Sequence, residues 1–81
     1  MKLSKMKTGQ NAIIKNIDSK YLYARRLIEI GFSEGTEVSV AIRGMSPCLT
    51  AYNVKNTIIA LRDKTAEKVN IILISGGKSY E

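Results

Sequence analysis

The 81-residue chain carries 13 lysines and arginines against 7 aspartates and glutamates, with 44% apolar residues, 25% charged residues and no histidine. That length buries a single small core, and the composition is that of a folded domain, not a disordered one. No apolar run reaches the roughly 18 residues of a membrane span, and MKLSKMKTGQ lacks the apolar segment of a secretory signal; a cytoplasmic protein is expected.

Cys48 is the sole cysteine, so no internal disulfide can form, and it reads as a small buried hydrophobe. Lacking histidine, the chain has neither the usual general base at neutral pH nor the commonest transition-metal ligand. The formal charge of +6 favours anionic partners such as nucleic acid, a phospholipid surface or an acidic protein face, although a charge of this size also serves solubility.

In chain order, LSKMKTGQ predicts a short anchored segment with a turn at Thr8-Gly9, and the β-branched NAIIKNI (11–17) predicts a strand. Asp18 and Ser19 offer cap side chains for a helix over about 20–30. At 100° per residue, Tyr21, Ala24, Leu27 and Ile28 share the inward face, flanked by Tyr23 and Ile30. Leu22, Arg25, Arg26 and Glu29 share the opposite one. Gly31 is placed to end the helix, with Phe32 packing back towards Leu27, and Gly35 supplies the next turn. TEVSVAI (36–42) alternates, with Thr36, Val38, Val40 and Ile42 on one side. RGMSP (43–47) reads as a loop. CLTAYNV (48–54) and TIIALR (57–62) read as strands joined by a tight turn at Lys55-Asn56, where asparagine tolerates positive φ. Asp63 can cap one helical turn, and VNIILI (69–74) is the fifth strand.

Five short strands and one real helix predict a mainly β fold: a small, partly closed antiparallel barrel over 1–74 with a flexible tail at 75–81. The stretch ARRLIEIGFSEGTEV, with A-L-R and then A-E-K-V at Ala60 to Val69, resembles the ferrous-iron-transport protein A (FeoA) family, and the similarity runs from about Leu3 to Leu73. The resemblance implies an SH3-like barrel with its helix inserted after the first strand. It further implies a small cytosolic accessory of the bacterial ferrous-iron importer, whose membrane subunit carries a GTP-binding domain. The same fold forms the C-terminal domain of iron-dependent repressors. Two departures stand out: Met45-Ser46-Pro47 replaces a common Gly-Asp-Pro, and Asn56 replaces a common glycine. The family has no catalytic residue to carry over.

The residues themselves show no catalytic constellation, because no Ser or Cys has a base in view and no carboxylates are paired on one face. No ligand spacing for a metal or cofactor is present, so iron is expected to belong to the pathway and not to this chain. The outward helix face, with Leu22, Arg25, Arg26 and Glu29, and beyond it Arg43, is the candidate surface for the importer's cytosolic part. Arginine is enriched at interface centres. A lone exposed leucine needs no explanation, however, and the Arg26 stem can equally pack on the barrel. Arg25 and Glu29 pair in the weaker orientation. A nucleic-acid-binding barrel is the rival reading, the resemblance also allows a regulatory SH3-like domain of the iron-dependent repressor type, and weak self-association through a barrel edge or Leu22 is a further possibility.

Overall fold

The strand-forming runs join into one five-stranded antiparallel sheet in the order β4-β3-β2-β1-β5. The strands are β1 (Asn11–Ile17), β2 (Glu37–Ser46), β3 (Leu49–Val54), β4 (Thr57–Arg62) and β5 (Val69–Ser75). Helix α1 (Ala24–Ile30) lies between β1 and β2, and the single turn α2 (Asp63–Ala66) joins β4 to β5. A 3-10 turn at Leu3–Lys5 precedes them. This computed structural model describes residues 1–75. The expected tail therefore gives up Ser75 to β5, and its remainder, with Tyr80, lies outside the described residues. β4 and β5 end the sheet on opposite sides.

Period-2 alternation puts Ala12 and Ile14 of β1, Val38 and Val40 of β2, and Val69 and Ile71 of β5 in the core. Tyr52 and Val54 of β3 join them, with Phe32 below the helix. The N-terminal segment contributes two plugs, Leu3 and Met6, both fully buried. The main chain of Met1 continues the sheet beyond β5, with the Ile71 amide donating to the Met1 carbonyl at 2.7 Å and Lys2 bridging to Asn70.

Four local expectations change. The helix begins at Ala24 and not near residue 20, because Asp18 does not cap it. The Asp18 carboxylate instead accepts from the Lys20 amide at 2.9 Å, and its carbonyl accepts from the Tyr21 amide, which makes a turn before the helix. β2 runs on through Arg43–Ser46, where a loop was expected, as a bent arm with register shifts after Val40 and after Ile42. Those shifts break the alternation, so Ile42 is 51% exposed although Val38 and Val40 are buried. At the tip of the arm Cys48 is exposed with φ 70°, not buried. Finally, Asp63 is the first residue of α2 and not its cap.

The Lys55-Asn56 hairpin forms as expected, with φ of 52° and 60° and Val54 opposite Thr57. Two successive positive φ values are those of a type I′ turn, which matches the twist of the strands. Lysine is a poor occupant of the left-handed region, so Lys55→Asn combined with Asn56→Gly is expected to raise stability by about 1 kcal/mol, read from the midpoint of urea unfolding.

Tyr52 is fully buried, and its hydroxyl has no hydrogen-bond partner. Burial raises its pKa above the ordinary 10.0. The Arg43 guanidinium opposes the rise, Asp63 adds to it, and the Thr50 side chain opposes it without reaching hydrogen-bond geometry. An unpartnered buried hydroxyl is costly, so Tyr52→Phe is expected to leave stability unchanged or raise it by about 1 kcal/mol. The native protein holds the phenol proton where the unfolded chain releases it. Its stability should therefore fall as pH rises from 10.0 through the higher folded pKa. The Tyr52→Phe protein lacks that contribution, and the difference between their unfolding midpoints over alkaline pH measures it.

Candidate functional site

Helix α1 has only two turns, and a helix so short is held by packing, not by its own propensity. Its sole buried residue is Leu27. The C-terminal stop is well made: the Gly31 amide donates to the Ile28 carbonyl at 3.1 Å, and the Phe32 amide to the Leu27 carbonyl at 2.9 Å. This is the Schellman arrangement, with Phe32 and Leu27 both in the core beneath it. Gly35, with φ 85°, follows in the turn between Ser33 and Thr36. At the other end of the helix the Tyr21 hydroxyl lies 3.3 Å from the Thr65 hydroxyl of α2. The ring of Tyr23 meets Tyr21 edge-on at 5.8 Å.

Leu22 is 82% exposed, and Arg25, Arg26 and Glu29 are exposed with it. Of these four candidate residues, Arg25, Arg26 and Glu29 stand on α1, and Leu22 lies in the turn before it. Exposure also extends beyond the expected boundary. Tyr23, Ile28 and Ile30, assigned by helical period to the inward face or its flanks, are all exposed. The reason is geometric: a seven-residue helix resting on the sheet through Leu27 leaves Ile28 and Ile30, one and three residues on, at the margin of the contact, and Tyr23 lies just before the first helical residue. Beside Ile28 a groove of about 300 Å³ opens, lined by Ile17, Ala24 and Phe32 together with Asn16 and Glu34. No sequence signal marks it, because its walls come from β1, α1 and the link after Gly31.

Arg43 stands apart from this surface. Its guanidinium donates to the Met6 carbonyl at 2.7 Å and to the Ser4 carbonyl at 3.2 Å. It therefore ties β2 to the N-terminal 3-10 turn, a structural task that spacing along the chain could not reveal. Among the described residues no group of three or more His, Cys, Asp or Glu could hold a metal ion, and no helix is long and apolar enough to cross a membrane. A second, polar cleft of about 380 Å³ lies on the sheet, where Asn11, Ser39 and Asn53 form a row across β1, β2 and β3.

Residues 1–73 match the FeoA domain family model. The chain belongs to the FeoA domain family. Its fold is that of FeoA structures of the SH3 type. A zinc-complexed FeoA from Stenotrophomonas maltophilia, described as a prokaryotic SH3-domain protein, is 29% identical, with 88% of each chain covered and a TM-score of 0.75. A FeoA-like protein from Clostridium acetobutylicum superposes over 99% of this chain and 93% of its own, with a TM-score of 0.85 at 14% identity. That likeness bears on fold alone. An Fe(2+) transport protein A/Fe(2+) transporter FeoB fusion protein of Porphyromonas gingivalis is 28% identical over 75 residues, or 93% of this chain. The chain spans only 9% of that fusion protein's length.

Proposed function

We propose that this FeoA-family chain is a non-catalytic accessory of bacterial ferrous-iron uptake. In this reading it acts in the cytoplasm and binds the cytosolic part of a GTP-binding, FeoB-type membrane importer. The observation that carries it is the fusion relative, in which a FeoA part and a FeoB part share one polypeptide. A covalent link keeps two parts at high effective concentration, which is useful when they work together. The docking surface is the α1 face, with Leu22 and Ile28 as apolar anchors and Arg25 and Arg26 beside them. By binding one conformation of the importer better than another, the adaptor shifts its cycle.

The rival nucleic-acid reading finds little support in the aromatic residues. Single-strand binding needs several exposed rings on one basic surface, whereas Phe32 and Tyr52 are buried and Tyr21 packs against the core. Titration of the immobilised chain with the importer's cytosolic domain, and with the intact importer in detergent, tests the proposal. Binding is expected to depend on the bound nucleotide and to weaken at least tenfold, about 1.4 kcal/mol, in a Leu22→Ser/Arg25→Glu/Arg26→Glu protein. If neither importer form binds the native chain in either nucleotide state, the proposal is wrong.

A further inference from the structure

We infer that the β2–β3 arm and the cations along it form a second surface, separate from α1, that docks onto an anionic lipid bilayer. Residues 41–48 are exposed without a break, and they include the apolar Ile42, Met45 and Pro47, with Met45 48% exposed. Nothing in the fold requires these apolar residues to be outside. The strand pairing that builds the arm is made by backbone, with Ser46 opposite Leu49, and polar side chains would serve it as well.

Contacts at both ends of this arm gather the cations. Arg43 is bound to the carbonyls of Ser4 and Met6, which flank Lys5 and precede Lys7. The Asp63 amide donates to the Cys48 carbonyl at 2.8 Å, which brings up its neighbours Arg62 and Lys64. Lys5, Lys7, Arg43, Arg62 and Lys64 are all exposed. The carboxylates nearby are the half-buried Asp63 and, one turn farther along, Glu67. Glu29 belongs to α1 and Glu34 to the link after it, while Glu37 starts β2 at the opposite end of that strand from the arm.

Exposed apolar side chains with cations nearby match an interfacial site, where buried apolar area and attraction to anionic headgroups act together. Nucleic acid also attracts cations, but the arm has no aromatic residue on which a base could stack. An acidic protein surface would match the charge without accounting for Met45 and Pro47. The chemistry therefore favours lipid.

Co-sedimentation with vesicles tests this, using phosphatidylcholine alone and phosphatidylcholine mixed with phosphatidylglycerol, at low and high salt. The native chain is expected to bind the anionic vesicles and not the neutral ones, and to be released by salt. Lys5→Gln and Lys64→Gln, which disturb no buried group, should each weaken binding about fivefold. Met45→Asp should weaken it further, and Leu22→Ser should leave it unchanged, which separates this surface from α1. Equal partition to both vesicle types, or no partition to either, overturns the inference. So does a Met45→Asp protein that binds as the native one does, or tighter binding to a single-stranded oligonucleotide than to the anionic vesicles. Circular dichroism of each variant confirms that the fold is retained.

Discussion

Gly31→Val is expected to destabilise the protein by about 2–4 kcal/mol, a large share of the stability of a domain this small. Two costs add. Gly31 has φ +131°, a backbone conformation that L side chains rarely adopt, and a Cβ built there meets Val54 Cγ1 at 3.3 Å. Val54 is itself buried in the core, so its side chain has to shift by a few tenths of an ångström among packed neighbours. Gly35→Ala is the control. Its φ is also positive, at +85°, but nothing lies within 4 Å of the added carbon, so only the backbone cost of about 1–2 kcal/mol applies. Chemical denaturation of both proteins separates the steric part from the conformational one. Similar losses in the two variants would mean that contact with Val54 contributes nothing.

Arg43→Met is expected to cost about 2–3 kcal/mol, since two hydrogen bonds from a charged donor are lost and two carbonyls are left without it. The methionine keeps most of the apolar stem, so packing changes little. The damage should be local. The Ser4 and Met6 carbonyls belong to the segment that inserts Leu3 and Met6 into the core. Hydrogen exchange is therefore expected to accelerate at the Met6 amide, bonded to Leu3, and at the Ile71 amide, bonded to Met1. The Phe32 amide, closed onto Leu27 at the end of α1, should keep its protection relative to global unfolding. Uniform acceleration at all three would instead identify Arg43 as part of the global cooperative unit.

These two residues also show what could be read from the chain alone and what could not. Gly31 was legible because a helix stop is a local event: a glycine after an apolar-periodic run, followed by an aromatic, needs no distant partner. The same holds for β1 and β4, whose bounds agree with the β-branched runs, and for Lys55-Asn56. Arg43 was expected at a partner surface, and its intramolecular role was invisible because its acceptors lie 37 and 39 residues away. In the sequence the β2 arm reads as a loop because Gly44 and Pro47 punctuate it, while the pairing that sustains it comes from β3 and β4. On α1, helical period places Leu27 inward and Arg25 outward, as found, whereas Leu22 precedes the helix. The period cannot foresee that only Leu27 of the apolar side is buried, with Ile28 and Tyr23 in solvent.

The contact between Met1 and Ile71 spans 70 residues, and β1 is flanked in the sheet by β2 and β5. During synthesis on the ribosome, the β2-β3-β4 meander can therefore pair as it emerges, since each strand meets its sequence neighbour. The first strand must wait with one edge open, and Leu3 and Met6 must wait uncovered, until nearly the last residue of β5 has left the exit tunnel. Non-local closure of this kind slows folding and leaves apolar surface uncovered in the nascent chain. A released chain truncated before Val69 should accordingly be held by chaperones, whereas one that extends through Ser75 should fold free of them.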